Sequence, residues 1–209
     1  MSNNLEHGWL DLLKDAGSAP WGTIPEIGLY MDQVISYLNR RLTFLTEEDP
    51  LLTSSMVNNY VKAGVLSRPT QRRYDREQLA DLYMLCSVKQ VLSLLDASDM
   101  MAELKKTGEN TEERYRQFTE YQIAACAAAA EEIEAEGGDR DARLDLALKF
   151  ALQASVCRAA AVQLIDSIRT PDAAARKARK RAARDASKKI RAAKKTTKTA
   201  KSAKTAKSE

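Results

Sequence analysis

The last 39 residues limit what this chain can fold. Residues 171–209 contain 15 Lys/Arg, three acids (Asp172, Asp185, Glu209), 12 alanines and almost no large apolar side chain. Such a segment buries too little surface to offset its ordering entropy, so it is expected to be disordered when alone. Its first half carries a stripe of Ala175, Ala178, Ala182, Ala186, Ile190 and Ala193, which predicts transient helix. Beyond Thr196 it is a loose Lys-Ala-Ser/Thr repeat. A core must therefore come from residues 1–170. The chain's net charge of +4 divides into +12 on the tail and −8 on the body. A basic tail on an acidic body implies a polyanionic partner.

Within the body the apolar residues recur at helical rather than alternating spacing, which predicts an all-α fold. Residues 1–23 read as an irregular lead with a short helical piece, "GWLDLLKD", where Trp9, Leu12 and Leu13 could make a small apolar face. Trp21 and Ile24 could staple the lead onto the adjoining domain. "LYMDQVISYLNRRLTFL" is amphipathic, with Tyr30, Val34, Tyr37/Leu38 and Leu42/Leu45 in register. After a break around Pro50, Thr53 or Ser54 caps a short helix that ends near Ala63, with Gly64 as its stop. "DREQ" from Asp75 is a capping-box pattern opening a long helix to about Asp96. Ser98 then caps a short helix that stops at Thr107-Gly108. Asn110 or Thr111 caps a helix to about Glu136, and residues 141–168 form another. Gly137-Gly138 between them predicts an antiparallel hairpin. Leu144, Leu148, Leu152, Val156, Ala159, Val162 and Ile165 share one side of its second arm.

Several functions find no support. Cys86, Cys126 and Cys157 are widely spaced and sit beside apolar neighbours, as buried free thiols in a reducing compartment do. With no CxxC and His7 as the only histidine, no metal site is expected. Glu131, Glu132, Glu134 and Glu136 lack the Glu-x-x-His partner of a bundle metal centre. No Gly-rich phosphate loop or nucleophile–base pair is visible, so neither an enzyme nor a cofactor is expected. No signal peptide is read, and no run approaching 18 apolar residues, so a cytoplasmic protein without a membrane partner is expected.

The short helix "TSSMVNNYVKAGVL" carries the clearest chemistry. Val57, Tyr60, Val61 and Gly64 fall at i, i+3, i+4 and i+7 and should face the core. Ser54, Ser55, Asn58, Asn59 and Lys62 fall mostly on the other side. Asn in a helix interior costs about half a kcal/mol against Ala. Groove contacts could offset this, since Asn can pair bidentately with adenine, Ser can bond bases or phosphates, and Lys neutralises a phosphate. A plain solvated face is the alternative. "SRPTQRRYD" then places Arg68, Arg72 and Arg73 within six positions in an otherwise acidic body, as a phosphate-contacting loop or tiny hairpin requires. Tyr74 reads as a plug onto the next helix.

This order of elements resembles the winged helix-turn-helix of the MerR superfamily. There a recognition helix ends in a "KxGLL"-like step, and an Arg-rich wing closing on "RRY" leads into a long helix. The counterparts here are "YVKAGVL", "RRY" and "DREQLADL". The chain is more similar still, over roughly residues 24–105, to bacterial domain-of-unknown-function family 1836. The motifs are "LYMDQVISYL" (29–38), "LTSSMVNNYVKAGVL" (52–66), "RRYDREQLADL" (72–82) and "VKQVLSLL" (88–95). The resemblance implies a MerR-like DNA-binding domain at 24–107 with a regulatory role, followed by a hairpin at 108–170 for dimerisation or effector binding. Two departures stand out. Asn58 occupies a position where many MerR proteins carry Arg, and only nine residues separate Gly64 from Tyr74, so the wing is short.

These readings give a sequence-specific DNA-binding transcriptional regulator acting as a homodimer on double-stranded DNA. The alternative is an architectural protein that coats the nucleoid through its tail, whose Lys/Ala composition resembles that of linker-histone-like bacterial proteins. Arg176, Lys177, Lys180, Arg181, Arg184, Lys188, Lys189 and Arg191 are the expected non-specific phosphate contacts. RNA, an anionic membrane or mere solubility are other uses of such a tail. Tyr115, Phe118 and Tyr121 could line an effector pocket or pack the core.

Overall fold

The computed structural model describes residues 10–14, 20–45, 51–136 and 139–171, together with Gly8, Ala175, Lys177 and Ala178. It divides into two compact units, Met1–Ile165 and Asp166–Glu209. Among the described residues the longer helices are α1 (Met31–Leu42), α2 (Ser54–Lys62), α3 (Arg76–Val88), α4 (Leu94–Leu104), α5 (Thr111–Ala135) and α6 (Arg140–Ile168), with 3-10 turns at Trp21–Thr23 and Thr43–Leu45 and helical residues at 10–14. Among the described residues there is no strand, only two isolated β-bridges. The all-α expectation holds at that level.

Helix α3 is the centre of the first unit. Every residue from Gln78 to Cys86 is buried, because α1 and α5 cover it and α4 packs back onto it. A helix covered all round needs no single apolar stripe. Its start is fixed by the Asp75 capping box: Gln78 N–H donates to Asp75 Oδ1 at 2.9 Å, and Asp75 N–H donates to Gln78 Oε1 at 3.0 Å. Asn110 and Glu113 repeat the device at α5, at 2.9 and 3.1 Å. Val34, Leu38 and Leu42 are the buried face of α1, and Val57 and Tyr60 that of α2.

Two of the three aromatic residues of α5 serve the core. Tyr115 is buried against Trp21 and Tyr83, with ring centroids 5.8 and 5.9 Å away. Phe118 meets Tyr83 edge-on at 6.0 Å, and Tyr121 is exposed. Tyr115 and Phe118 therefore pack rather than line an effector pocket. Leu13 joins Phe44, Cys126 and Ala130 in a second, smaller cluster, while Leu12 is exposed; Trp9 lies outside the described residues.

Four expectations are corrected. The helix from Asp75 does not run to Asp96: α3 ends at Val88, and Ser93, not Ser98, caps α4 by accepting from Asp96 N–H at 3.1 Å. Ser93 three residues before Asp96 is itself an N-cap pattern, and it overrides the apolar continuity. Cys86 and Cys126 are buried, but Cys157 is exposed. Gly64 is exposed rather than core-facing. The expected stripe on α6 is covered only toward its end: Val162 is half-buried and Ile165 buried, whereas Leu144, Leu148, Leu152 and Val156 are 63, 59, 59 and 68 % exposed. Separately, by length and composition alone α6 could cross a membrane, with mean hydropathy 1.2 over 18 residues, a test that helices of soluble proteins also pass. Lys149 and Arg158 lie within it, and a cation at a bilayer centre costs about 2.5–3.5 kcal/mol by insertion scales.

The Gly137-Gly138 turn lies outside the described residues. Lys149 Nζ meets Glu132 at 2.6 Å, and Ala142, Leu146 and Phe150 are half-buried. In the second unit, Asp166 pairs with both Arg169 and Lys177.

Candidate nucleic-acid interface

Helix α2 is held at both ends. At its start, Thr53 Oγ1 accepts from Met56 N–H at 3.3 Å. Just before it, the Asn39 side chain on α1 accepts from Leu52 N–H at 2.8 Å and donates to Leu52 O at 3.0 Å. At its end, Gly64 turns the chain at φ +71°, where its N–H reaches Val61 O at 3.1 Å and Val65 N–H reaches Tyr60 O at 3.0 Å. That pair of bonds is a Schellman motif, and its left-handed residue is most easily a glycine. With Val57 and Tyr60 buried, Ser54, Ser55, Asn58, Asn59 and Lys62 are all exposed. Ser55, Asn59 and Lys62 follow one another at helical spacing, with Asn58 beside them.

The segment expected to form a wing, residues 67–73, is shorter than a strand pair. Gln71 and Arg72 both have positive φ, +49° and +63°, and Arg73 N–H donates to Thr70 O at 2.9 Å. Two positive φ values inside a closed four-residue turn mark a primed hairpin turn. That turn favours Asn and Gly, so Gln71 and Arg72 hold local strain, and the Arg72 side chain is exposed. At the wing's base, Tyr74 is buried and exchanges two backbone bonds with Leu29, at 2.8 and 2.9 Å.

Arg73 is engaged within the fold. Its guanidinium lies 4.6 Å from the Tyr30 ring centroid and donates to Tyr30 Oη at 3.0 Å. Gly28 makes this possible, since a Cβ there would lie 3.0 Å from Arg73 Cβ. Arg68 is exposed, and its carbonyl accepts from Gln78 Nε2 at 3.1 Å. The same amide donates to Ser67 Oγ at 2.9 Å and to Ser67 O at 3.2 Å, so one buried glutamine on α3 fixes the wing's entry.

The motifs that hold this arrangement lie within one recognised segment, for residues 19–122 match the family model described as a domain of unknown function, DUF1836. The chain carries a DUF1836 domain. No curated protein and no solved structure matches the chain. The DUF1836 match takes in α1 to α4 and the first half of α5; α6 and the tail lie beyond it.

Of the expected tail contacts, Arg176, Lys180, Arg181, Arg184, Lys188, Lys189 and Arg191 lie outside the described residues. Lys177 is half-buried in its pair with Asp166. Asn39, Tyr30 and Gln71, all within the DUF1836 match, complete this arrangement but carry no local sequence signal, since their roles come from partners distant in the chain or from backbone conformation. Among the described residues no group of His, Cys, Asp and Glu has the makings of a metal site.

Proposed function

We propose that this protein is a sequence-specific DNA-binding transcriptional regulator, built on a MerR-like winged helix-turn-helix, with an accessory basic tail. In this reading α1 and α2 are the helix pair, α2 enters the major groove, and the turn at Gln71-Arg72 is the wing. The observation that carries it is the exposed set Ser54, Ser55, Asn58, Asn59 and Lys62 on a helix pinned by its opposite face, followed in the chain by a strained turn bearing an exposed arginine. At nine residues, α2 is about 14 Å long, a fit to a groove about 12 Å wide. No acidic residue occupies its first turn, which leaves the positive helix end open to a phosphate.

Asn58 and Asn59 are the base readers, and Ser54, Ser55 and Lys62 support them. Arg68 and Arg72 contact phosphate, and Arg73 does so from its seat on Tyr30. The exposed ladder Leu144-Leu148-Leu152-Val156 supports a homodimer, since it lies roughly opposite the half-buried Ala142, Leu146 and Phe150. An apolar row left exposed along four turns of a helix calls for a covering partner. A dimer supplies it and gives two half-sites.

The tail's charge favours a second reading, an architectural protein of the nucleoid. Footprinting over a salt series separates the two. A regulator protects a discrete site, and removing residues 171–209 flattens the salt dependence by several log–log units without erasing that site. Continuous protection that vanishes with the tail supports the architectural protein and overturns the regulator.

A further inference from the structure

Beneath the wing, between the first turns of α3 and α5 and the end of α4, lies a polar cavity of about 310 Å3. This is at the lower end of the range for small-molecule sites. Two buried charged side chains line it, Asp81 on α3 (8 % exposed) and Arg114 on α5 (9 % exposed). Each is only partly satisfied. Asp81 Oδ2 holds Lys105 Nζ at 2.5 Å, but Oδ1, also buried, has no hydrogen-bond partner among the described residues. Arg114 donates through Nη1 to Glu109 O and through Nη2 to Thr111 Oγ1 at 3.0 Å, while its buried Nε has no partner among them. Buried polar atoms are rarely left unmatched, so the exceptions call for an account.

The chemistry of the two orphans restricts what fits. One is an anionic acceptor and the other a cationic donor. The lining has three carboxylates, from Asp75, Glu77 and Asp81, against two cations, Lys105 and Arg114. A simple anion meets the carboxylates, and a bare divalent cation meets Lys105 and Arg114. A small molecule carrying an ammonium and a carboxylate offers each group a partner of opposite charge.

We infer that this cavity binds a free α-amino acid or a similar small zwitterion, its ammonium on the Asp81 and Glu77 carboxylates and its carboxylate on the Arg114 guanidinium, with Asp81 and Arg114 turning to present their unmatched atoms, and that occupancy is coupled to the wing. The coupling half rests on the DNA-binding reading above. Its route is short: Ser67 and Gln78 also line the cavity, and the Gln78 amide bonds to Ser67 fix the wing's entry. A ligand that shifts Gln78 shifts the wing and biases DNA affinity.

Calorimetry on the full chain, with the standard α-amino acids titrated singly, tests the site. At least one gives saturable binding, and its decarboxylated amine and its N-acetyl derivative each bind about tenfold weaker or less. Asp81→Asn lowers affinity by about tenfold, as does Glu77→Gln on the exposed rim, where folding is not at stake. Failure of every amino acid to bind, or binding that survives both substitutions, overturns the site and leaves water as the partner of the two orphans. A DNA-binding titration with and without the amino acid tests the coupling, with a change of about fivefold or more expected. Unchanged DNA affinity with intact amino-acid binding overturns the coupling. Intact amino-acid binding by a chain with no affinity for DNA counts against the regulator reading, not the site.

Discussion

The Asn39 side chain clasps the backbone of Leu52 on both sides, accepting from its N–H at 2.8 Å and donating to its carbonyl at 3.0 Å. Leu52 is fully buried, so these groups have no access to water. The clasp sets the point from which α2 departs relative to α1. Asn39→Ala is therefore expected to cost about 1–3 kcal/mol, the penalty for leaving buried backbone groups unsatisfied. Urea unfolding measures the loss. DNA affinity should fall as well, because α2 loses its anchor.

Substitution at the Gln71-Arg72 turn is expected to separate stability from the proposed DNA binding. Replacing Gln71 with Asn and Arg72 with Gly supplies the residues that a primed turn favours. The double substitution should raise stability by about 1 kcal/mol through relief of two left-handed residues. It should also weaken DNA binding, because the tip loses its cation. Thermal unfolding and fluorescence anisotropy on the same preparations give the two readings. A variant that is both more stable and an equal binder would show that the strained tip has no part in binding.

Much of this fold is legible in the sequence where the cause is local. The capping pairs Asp75/Gln78 and Asn110/Glu113 lie three residues apart, so the starts of α3 and α5 can be read directly. Ser93/Asp96 is just as local, yet the apolar run from Leu79 to Leu95 masks it, because a helix buried all round and two helices joined by a turn give similar patterns. The exposed face of α2 follows from helical spacing alone. Arg73 on Tyr30 and Asn39 on Leu52 join residues 43 and 13 positions apart, and no local pattern encodes them. The exposure of α6 is equally opaque, for an apolar stripe says that something covers it but not which chain does.

The α6 ladder predicts self-association. Leu148→Glu with Leu152→Glu places carboxylates in the middle of the exposed row and should convert a dimer to a monomer. Both side chains are solvent-facing in the single chain, so its unfolding midpoint at low concentration should change little. Sedimentation velocity at micromolar concentration distinguishes the outcomes. A dimer that persists in the variant places the interface elsewhere.

The thiols and phenols predict two further behaviours. A thiol reagent at neutral pH should label one cysteine, Cys157, rapidly, and Cys86 and Cys126 only on unfolding. Burial pushes the Cys86 thiol and the Tyr83 phenol each up to about 12. Both are neutral acids with folded-state values above their ordinary ones of 9.0 and 10.0, so above those values the unfolded chain releases protons that the native state retains. Their contribution is complete below pH 9 and declines as the pH rises toward about 12, at about 1.4 kcal/mol per pH unit for each group. Denaturant midpoints across that range should fall accordingly. A midpoint that stays flat would mean these groups open to water in the native state.

The most direct test is selection from a randomised duplex library by the full chain, by Asn58→Ala with Asn59→Ala, and by Arg72→Ala. The expected result is a discrete motif for the parent chain, with discrimination reduced by about 1–3 kcal/mol per lost base contact in the asparagine variant. Arg72→Ala should weaken target and random DNA alike and leave the motif unchanged. Enrichment of no motif by the parent, or the same motif at the same discrimination after both asparagines are removed, would contradict the reading of α2 as the helix that recognises DNA.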